Sequence, residues 1–171
     1  VSVRELRLRV LGPFEVEGVE PHRLGSRKAR TLCKVLALGR GRPVSVDRLA
    51  DCVWPERPPS RPGVDVAVLV SRLRSVLGAE RLERSDAGYS LVADWLDLAA
   101  LEAMAAEAAR RLTDGRWAGA RAAAAAALAL DRGPLLADEP DAPWAEVERA
   151  AAARLLAQAR STAARAALAS G

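Results

Sequence analysis

Apolar positions recur with two different periods along this chain, and the change of period marks out its elements. Leu6, Leu8 and Val10 alternate with Arg7 and Arg9, the period-two signature of a strand with one buried face. The strand reads through Leu11, and Gly12-Pro13 turns the chain into a second one, Phe14-Glu15-Val16-Glu17. A third short strand is expected over Val19 to Arg23, ahead of Gly25. The period then lengthens. Ser26 has the hydroxyl of an N-cap for a helix from Arg27 to Leu38, with Ala29, Leu32, Cys33 and Leu36 on its inner face and Arg27, Lys28, Arg30 and Lys34 on its outer one. Ser45 caps a second helix, Val46 to Trp54, with Leu49 and Val53 inward, and Pro55, Pro58, Pro59 and Pro62 forbid its continuation.

A third helix is predicted from Gly63 to Leu77, because Val66, Val70, Leu73 and Leu77 recur as one stripe and Gly78 closes it. Arg81-Leu82-Glu83-Arg84 and Tyr89-Ser90-Leu91-Val92, separated by Ser85-Asp86-Ala87-Gly88, read as a hairpin. Beyond it Leu98, Leu101, Ala105, Ala108 and Leu112 define a helix, Asp114-Gly115 breaks it, and Trp117, Ala120, Ala124 and Leu128 define the next. A loop over Asp131 to Pro143 leads to a last helix that runs to Ala169, with Val147, Ala151 and Leu155 placed inward. Three helices make one and a half helix pairs, so the chain is expected to dimerise through this end, to pack its last helix on the first module or, the favoured reading, to be a fragment of a longer protein.

Charge divides the chain in the same place. Through Ala93 there are 17 Arg and Lys against 11 Asp and Glu, a net of +6; from Asp94 there are 9 against 11, a net of −2. Alanine, the best helix former, numbers 7 in the first part and 30 in the second. Residues 1–93 are therefore expected to form a basic module and residues 94–171 a helical one. A basic module suits a polyanionic partner.

Several chemistries are excluded or set aside. Two cysteines, Cys33 and Cys52, with one histidine, His22, do not make a four-ligand zinc site or a disulfide scaffold, so no metal or other cofactor is expected. Both cysteines fall among apolar helical residues and are expected to be buried and inert. The chain has no phosphate-binding G-x-x-x-x-G-K-[ST] loop, no G-x-S-x-G elbow and no H-E-x-x-H pair, and it is not expected to be an enzyme. No apolar run is long enough for a bilayer, and charges through Val1 to Val10 break any export signal, so a cytoplasmic protein is expected. Trp54, Trp95, Trp117 and Trp144 stand at helix ends and are expected to plug the core or anchor contacts between domains.

The motifs together, Leu8-Arg9-Val10-Leu11-Gly12-Pro13-Phe14-Glu15-Val16, Val44-Ser45-Val46-Asp47-Arg48-Leu49-Ala50-Asp51, Val70-Ser71-Arg72-Leu73-Arg74, Leu77-Gly78 and Gly88-Tyr89, resemble the Streptomyces antibiotic regulatory protein (SARP) family of AfsR-like regulators. The resemblance implies an α+β OmpR-type winged helix-turn-helix followed by an all-α, tetratricopeptide-like bacterial transcriptional activation domain, incomplete here. It implies an activator, for a secondary-metabolite pathway, that binds direct repeats in double-stranded DNA as side-by-side protomers, a homodimer included, and recruits RNA polymerase with its sigma factor. Carried over by position, Arg72 and Arg74 are expected at phosphates, Arg81 and Arg84 on the wing, and Arg30 and Arg48 at the DNA backbone, with Arg61 also expected among the DNA-binding residues.

The front of the third helix departs from the family. Where arginine, asparagine or glutamine usually stands, this chain has Gly63, Val64, Asp65, Ala67 and Val68. Base readout then falls to thymine-methyl contacts by Val64 and Val68, a cytosine contact by Asp65, and Ser71. The rival reading is a degenerate winged helix whose apolar front holds another protein, without specific DNA readout.

Overall fold

In a computed structural model, which describes residues 5–169, the chain is mostly helical with two small sheets. Of the N-terminal stretch read for an export signal, residues 1–4 lie outside the described residues. Two compact units divide the chain: one takes residues up to Leu8 and Glu15–Leu96, the other takes Arg9–Phe14 and everything from Asp97. The division falls at Asp97, not at the expected Asp94, and gives a piece of the basic half to the helical unit.

The first unit begins with β1 (Arg7–Arg9) and β2 (Glu15–Val16). The expected third strand is replaced by a 3-10 turn at Pro21–Leu24, and only Val19 bridges back to Val16. Pro21 fixes its own φ and brings no N–H to a ladder, which is why strand pairing stops there. Next, α1 (Arg27–Leu38) starts where the Ser26 hydroxyl accepts the Ala29 N–H at 3.3 Å. α2 (Val46–Val53) starts in the same way, with Ser45 accepting from Arg48 at 3.2 Å. α3 (Pro62–Leu77) has proline in its first turn and ends at Gly78.

These three helices pack on one another, with Leu32, Leu36, Leu49 and Leu73 fully buried between them. α1 is enclosed on more than one side, so every residue from Thr31 to Leu38 is buried and Lys34, expected on the outer face, is only 3% exposed. A hairpin follows, β3 (Leu82–Ser85) antiparallel to β4 (Gly88–Leu91). Its second strand also pairs with the segment ahead of α2, through Val44 N–H to Tyr89 carbonyl at 2.8 Å and the reverse bond at 3.0 Å. Gly88 makes this approach possible: at φ +132° any Cβ would collide with the Val44 carbonyl. β5 (Trp95–Leu96) closes the unit by pairing in parallel with β1, Arg7 across from Trp95 and Leu8 from Leu96.

Ahead of β5, Asp94 accepts the Leu6 N–H at 2.6 Å and pairs with Arg81 at 2.7 Å. The Arg81 guanidinium, followed by the Leu6 N–H, holds this carboxyl below the usual carboxylate range.

The second unit packs α4 (Asp97–Thr113), α5 (Trp117–Leu128) and α6 (Glu146–Ala169) together. Leu98, Leu101, Ala105, Ala108 and Leu112 of α4 are buried, the stripe read from the sequence. α6 is not oriented as expected. Val147 is 75% exposed, Ala151 and Leu155 are half-buried, and the inward residues are Ala152, Leu156, Ala159, Thr162 and Ala166. Alanine occurs all round this helix, so composition marks no face, and close approach to α4 and α5 selects the small side chains. The tryptophans do not plug the core either: Trp54, Trp95 and Trp144 are half-buried and Trp117 is exposed.

Arg9–Phe14 completes this unit. Asp97, 1% exposed at the first turn of α4, accepts the Val10 N–H at 2.8 and 3.0 Å and the Leu11 N–H at 2.9 Å. The Val10 and Gly12 carbonyls accept from Leu136 and Ala137, and Asp138 accepts from Phe14 at 2.9 Å. Burial pushes the Asp97 carboxyl up, against the pull of backbone N–H groups of Val10, Leu11 and Leu98.

Asp97→Ala leaves two buried N–H groups without an acceptor and is expected to cost about 2–4 kcal/mol of unfolding free energy. Urea denaturation checks this, and a loss under about 0.5 kcal/mol refutes it. The two carboxylates have opposite linkage to pH. The depressed Asp94 contributes stability above the ordinary carboxylate range that is lost as pH falls through its folded pKa; the raised Asp97 contributes below that range and loses it as pH rises. Thermal melts over about pH 6 to 3 are therefore expected to fall less steeply for Asp94→Asn than for the unaltered chain.

Candidate nucleic-acid interface

α3 carries a buried stripe and an open front. Val66, Leu69, Val70 and Leu73 point into the unit, and the 3.6-residue repeat puts Val64, Val68, Ser71, Arg72 and Ser75 on the opposite side, where all are exposed. Val64 is 57% and Val68 46% exposed, far more than side chains of this kind usually are when a helix packs normally. Asp65 is half-buried beside them, in the first turn, where a carboxylate complements the helix N-terminus.

The hairpin lies along this front. Arg61, Val64, Ala67, Val68 and Ser71 of the helix and its N-cap line a surface groove together with Arg84 of β3. Among the described residues no carboxylate lines it. Arg84 faces Tyr89 across the β3–β4 pair, its guanidinium 5.7 Å from the ring centroid, a stacking that orients the charge. A second groove, between the hairpin and the start of α2, is lined by Ser45, Asp47 and Asp86 as well as Arg84. Arg84 thus borders both, one apolar and one acidic.

Helical geometry sets Arg72 on the other side of the valine stripe from Ala67, so exposed guanidinium groups flank the stripe on both sides. Arg61, Val64, Val68, Ser71 and Arg84 are brought together at one groove, with Asp65 and Arg72 adjacent on α3. Arg30 and Arg48 stand apart from it, on α1 and α2. Arg48 is exposed, and Arg30 donates to the Gly25 carbonyl at 2.8 Å.

Two residues expected to face a ligand work inside the fold. Arg74 is half-buried and donates twice to the Leu82 carbonyl, at 3.0 and 2.6 Å, tying the end of α3 to the start of the hairpin. Arg81 is 7% exposed and is held by Asp94. In both cases a carbonyl or carboxylate supplied by later sequence takes the guanidinium that position alone assigned to a phosphate or wing. The signal that was available is the period: Arg74 falls on the flank of the buried stripe of α3, and Arg81 directly precedes the buried Leu82.

Cys33 and Cys52 are both buried and free. Burial pushes the Cys33 thiol up to about 12 and raises Cys52 as well. His22 is exposed on the Pro21–Leu24 turn. Among the described residues no group of His, Cys, Asp and Glu is arranged to hold a metal ion, and no helix is long and apolar enough to cross a membrane.

Comparison with known proteins places these features among regulators. Residues 96–171 match the bacterial transcriptional activator domain. Regulatory protein AfsR of Streptomyces griseus is 35% identical over 147 residues, 84% of this chain and 15% of that protein. Transcriptional regulatory protein EmbR of Mycobacterium tuberculosis is 31% identical over 148 residues, 81% of this chain and 38% of that protein. The solved structure of Mycobacterium tuberculosis EmbR in complex with a low affinity phosphopeptide superposes with a TM-score of 0.85 at 30% identity, over 96% of this chain and 46% of that one. The chain thus spans between 15% and 38% of the length of these curated relatives.

The division of labour among the arginines is directly testable. Arg74→Ala removes a charge-assisted clamp and is expected to lower stability by about 1–2 kcal/mol, whereas the exposed Arg72→Ala is expected to change it by less than about 0.5 kcal/mol. Equal melting temperatures for the two variants would refute the assignment.

Proposed function

The chain belongs to the SARP family of AfsR-like transcriptional regulators, and on that premise we propose that it is a DNA-binding transcription activator. The first unit is read as an OmpR-type winged helix-turn-helix, with α3 as the helix that enters the major groove and the β3–β4 hairpin as the wing. Arg72, Arg84 and Arg61 are the cations offered to phosphates, with Arg48 and Arg30 at the margins, and the excess of positive charge in the first 93 residues supplies the wider field. Arg74 and Arg81 are assigned to holding the hairpin in position rather than to the duplex.

The helical unit is read as a tetratricopeptide-like activation domain that pairs protomers on direct repeats and presents a surface to RNA polymerase and its sigma factor in the cytoplasm. The observation that carries the proposal is the open front of α3 flanked by exposed arginines: a helix of this exposure and charge has the dimensions and the sign to occupy a major groove. The apolar valines at the centre of that front favour a second reading, a protein-interaction surface without specific DNA readout.

Fluorescence anisotropy with labelled duplexes, one carrying direct repeats and one scrambled, over a salt series separates the two. The activator reading expects the repeat duplex to bind at least about a hundredfold more tightly, with the logarithm of affinity falling steeply with salt. Arg72→Ala and Arg84→Ala are each expected to weaken binding on both duplexes and to reduce the salt slope by about one. Equal weak binding of both duplexes and a flat salt response would sink it.

A further inference from the structure

We infer that the front of α3 recognises DNA through the 5-methyl groups of pyrimidines, so that a thymine-rich site is selected by apolar contact and not by hydrogen bonds to guanine or adenine. The inference rests on the DNA-binding reading above and specifies what that site would read. Its starting point is the chemistry of the surface. The exposed large apolar side chains of α3 are Val64 and Val68, about one helical turn apart, with Ala67 beside them in the groove. None of these has a hydrogen-bond donor or acceptor, and the one polar side chain of the groove between Arg61 and Arg84 is Ser71.

The C5 methyl of thymine is the one apolar group that projects into a major groove; apart from the small C5–H of cytosine, the features read there are donors and acceptors. A branched apolar stripe pressed against guanine or adenine edges would leave those polar groups desolvated and unpaired, which disfavours them. Against thymine methyls the same stripe buries apolar area on both sides. The neighbouring charges say which macromolecule is complementary. Arg61, Arg72 and Arg84 surround the stripe, and a polyanion with apolar groups recessed between two rows of phosphate matches that pattern. A protein partner of matching chemistry would need an apolar knob inside an acidic rim, and it is made an outcome of the test.

The probes are four alternating duplexes of equal length, d(AT)n, d(AU)n, d(GC)n and the 5-methylcytosine form of d(GC)n, titrated at low salt against the whole chain. The first pair differs only by the loss of a methyl and the second only by its gain, at the same position in the groove. Expected is weaker binding to d(AU)n than to d(AT)n, by about fourfold for each methyl in contact, and a matching gain for methylated d(GC)n over the unmethylated form. Val64→Ala with Val68→Ala, both exposed and therefore compatible with folding, is expected to abolish those differences. Arg72→Ala is expected to weaken all four duplexes alike.

Equal affinity for d(AT)n and d(AU)n in the unaltered chain overturns the inference and leaves the DNA-binding reading standing. A methyl preference that survives the double valine variant overturns its assignment to α3. Absence of binding to every duplex overturns the DNA-binding reading itself, and the apolar front then belongs to a protein partner.

Discussion

The carboxylate of Asp97 is the constraint on which the chain's organisation turns. A strand that leaves its sheet after Arg9 carries buried N–H groups at Val10 and Leu11 that must find acceptors, and a single side chain 87 and 86 residues further on takes both. That side chain also sits in the first turn of α4, so the peptide dipoles of the helix and the two borrowed N–H groups converge on one buried charge. The chain consequently passes between its two units after Leu8, after Phe14 and after Leu96. Neither unit is continuous in sequence, and the activator-domain match beginning at residue 96 omits a segment that its unit uses.

Local rules made most elements legible. The two serine caps fixed the starts of α1 and α2 because a short hydroxyl side chain ahead of an apolar period satisfies an otherwise orphaned N–H wherever the helix lies. The stripe of α4 and most of that of α3 were legible because each mixes large apolar residues with polar ones, and contrast is what a period needs; on α3 the buried set includes Leu69, and the expected Leu77 is only half-buried. α6 lacked that contrast: with alanine on every side, the inward set is chosen by how near the backbones of α4 and α5 come, a tertiary quantity. The split of the first strand was hidden for a related reason. Alternation reports that one face is buried, not against what, and Leu8 and Val10 are buried in different units with the same parity.

The candidate interface shows the same boundary between local and long-range information. Position along α3 sufficed to place Val64, Val68, Ser71 and Arg72 on the front, since helical periodicity alone decides which way they face. It did not suffice for Arg74 or Arg81. An arginine offers five donors whatever its role, and whether they meet a phosphate or the protein's own oxygen atoms depends on what folds beside it. Leu82 carbonyl and Asp94 carboxylate fill that role here, and both come from sequence after the helix. Gly88 was legible as a motif but not as a necessity until Val44 was seen to cross it.

Separating the arginines in this way changes how the basic half should be understood. Arg81 is neutralised by Asp94 and the donors of Arg74 are taken by the Leu82 carbonyl, so the net of +6 in the first 93 residues overstates the grip that these two would add. What remains exposed around α3 is a small set of cations about an apolar centre. Cations on phosphates bind any sequence and set affinity; only the centre meets bases. On the proposed reading, with Ser71 as the one hydrogen-bonding side chain between Arg61 and Arg84, discrimination per base falls toward the worth of a methyl contact, well below that of a bidentate pair. On the proposed reading, a regulator built this way would gain specificity by repetition, through adjacent protomers that each add a modest preference.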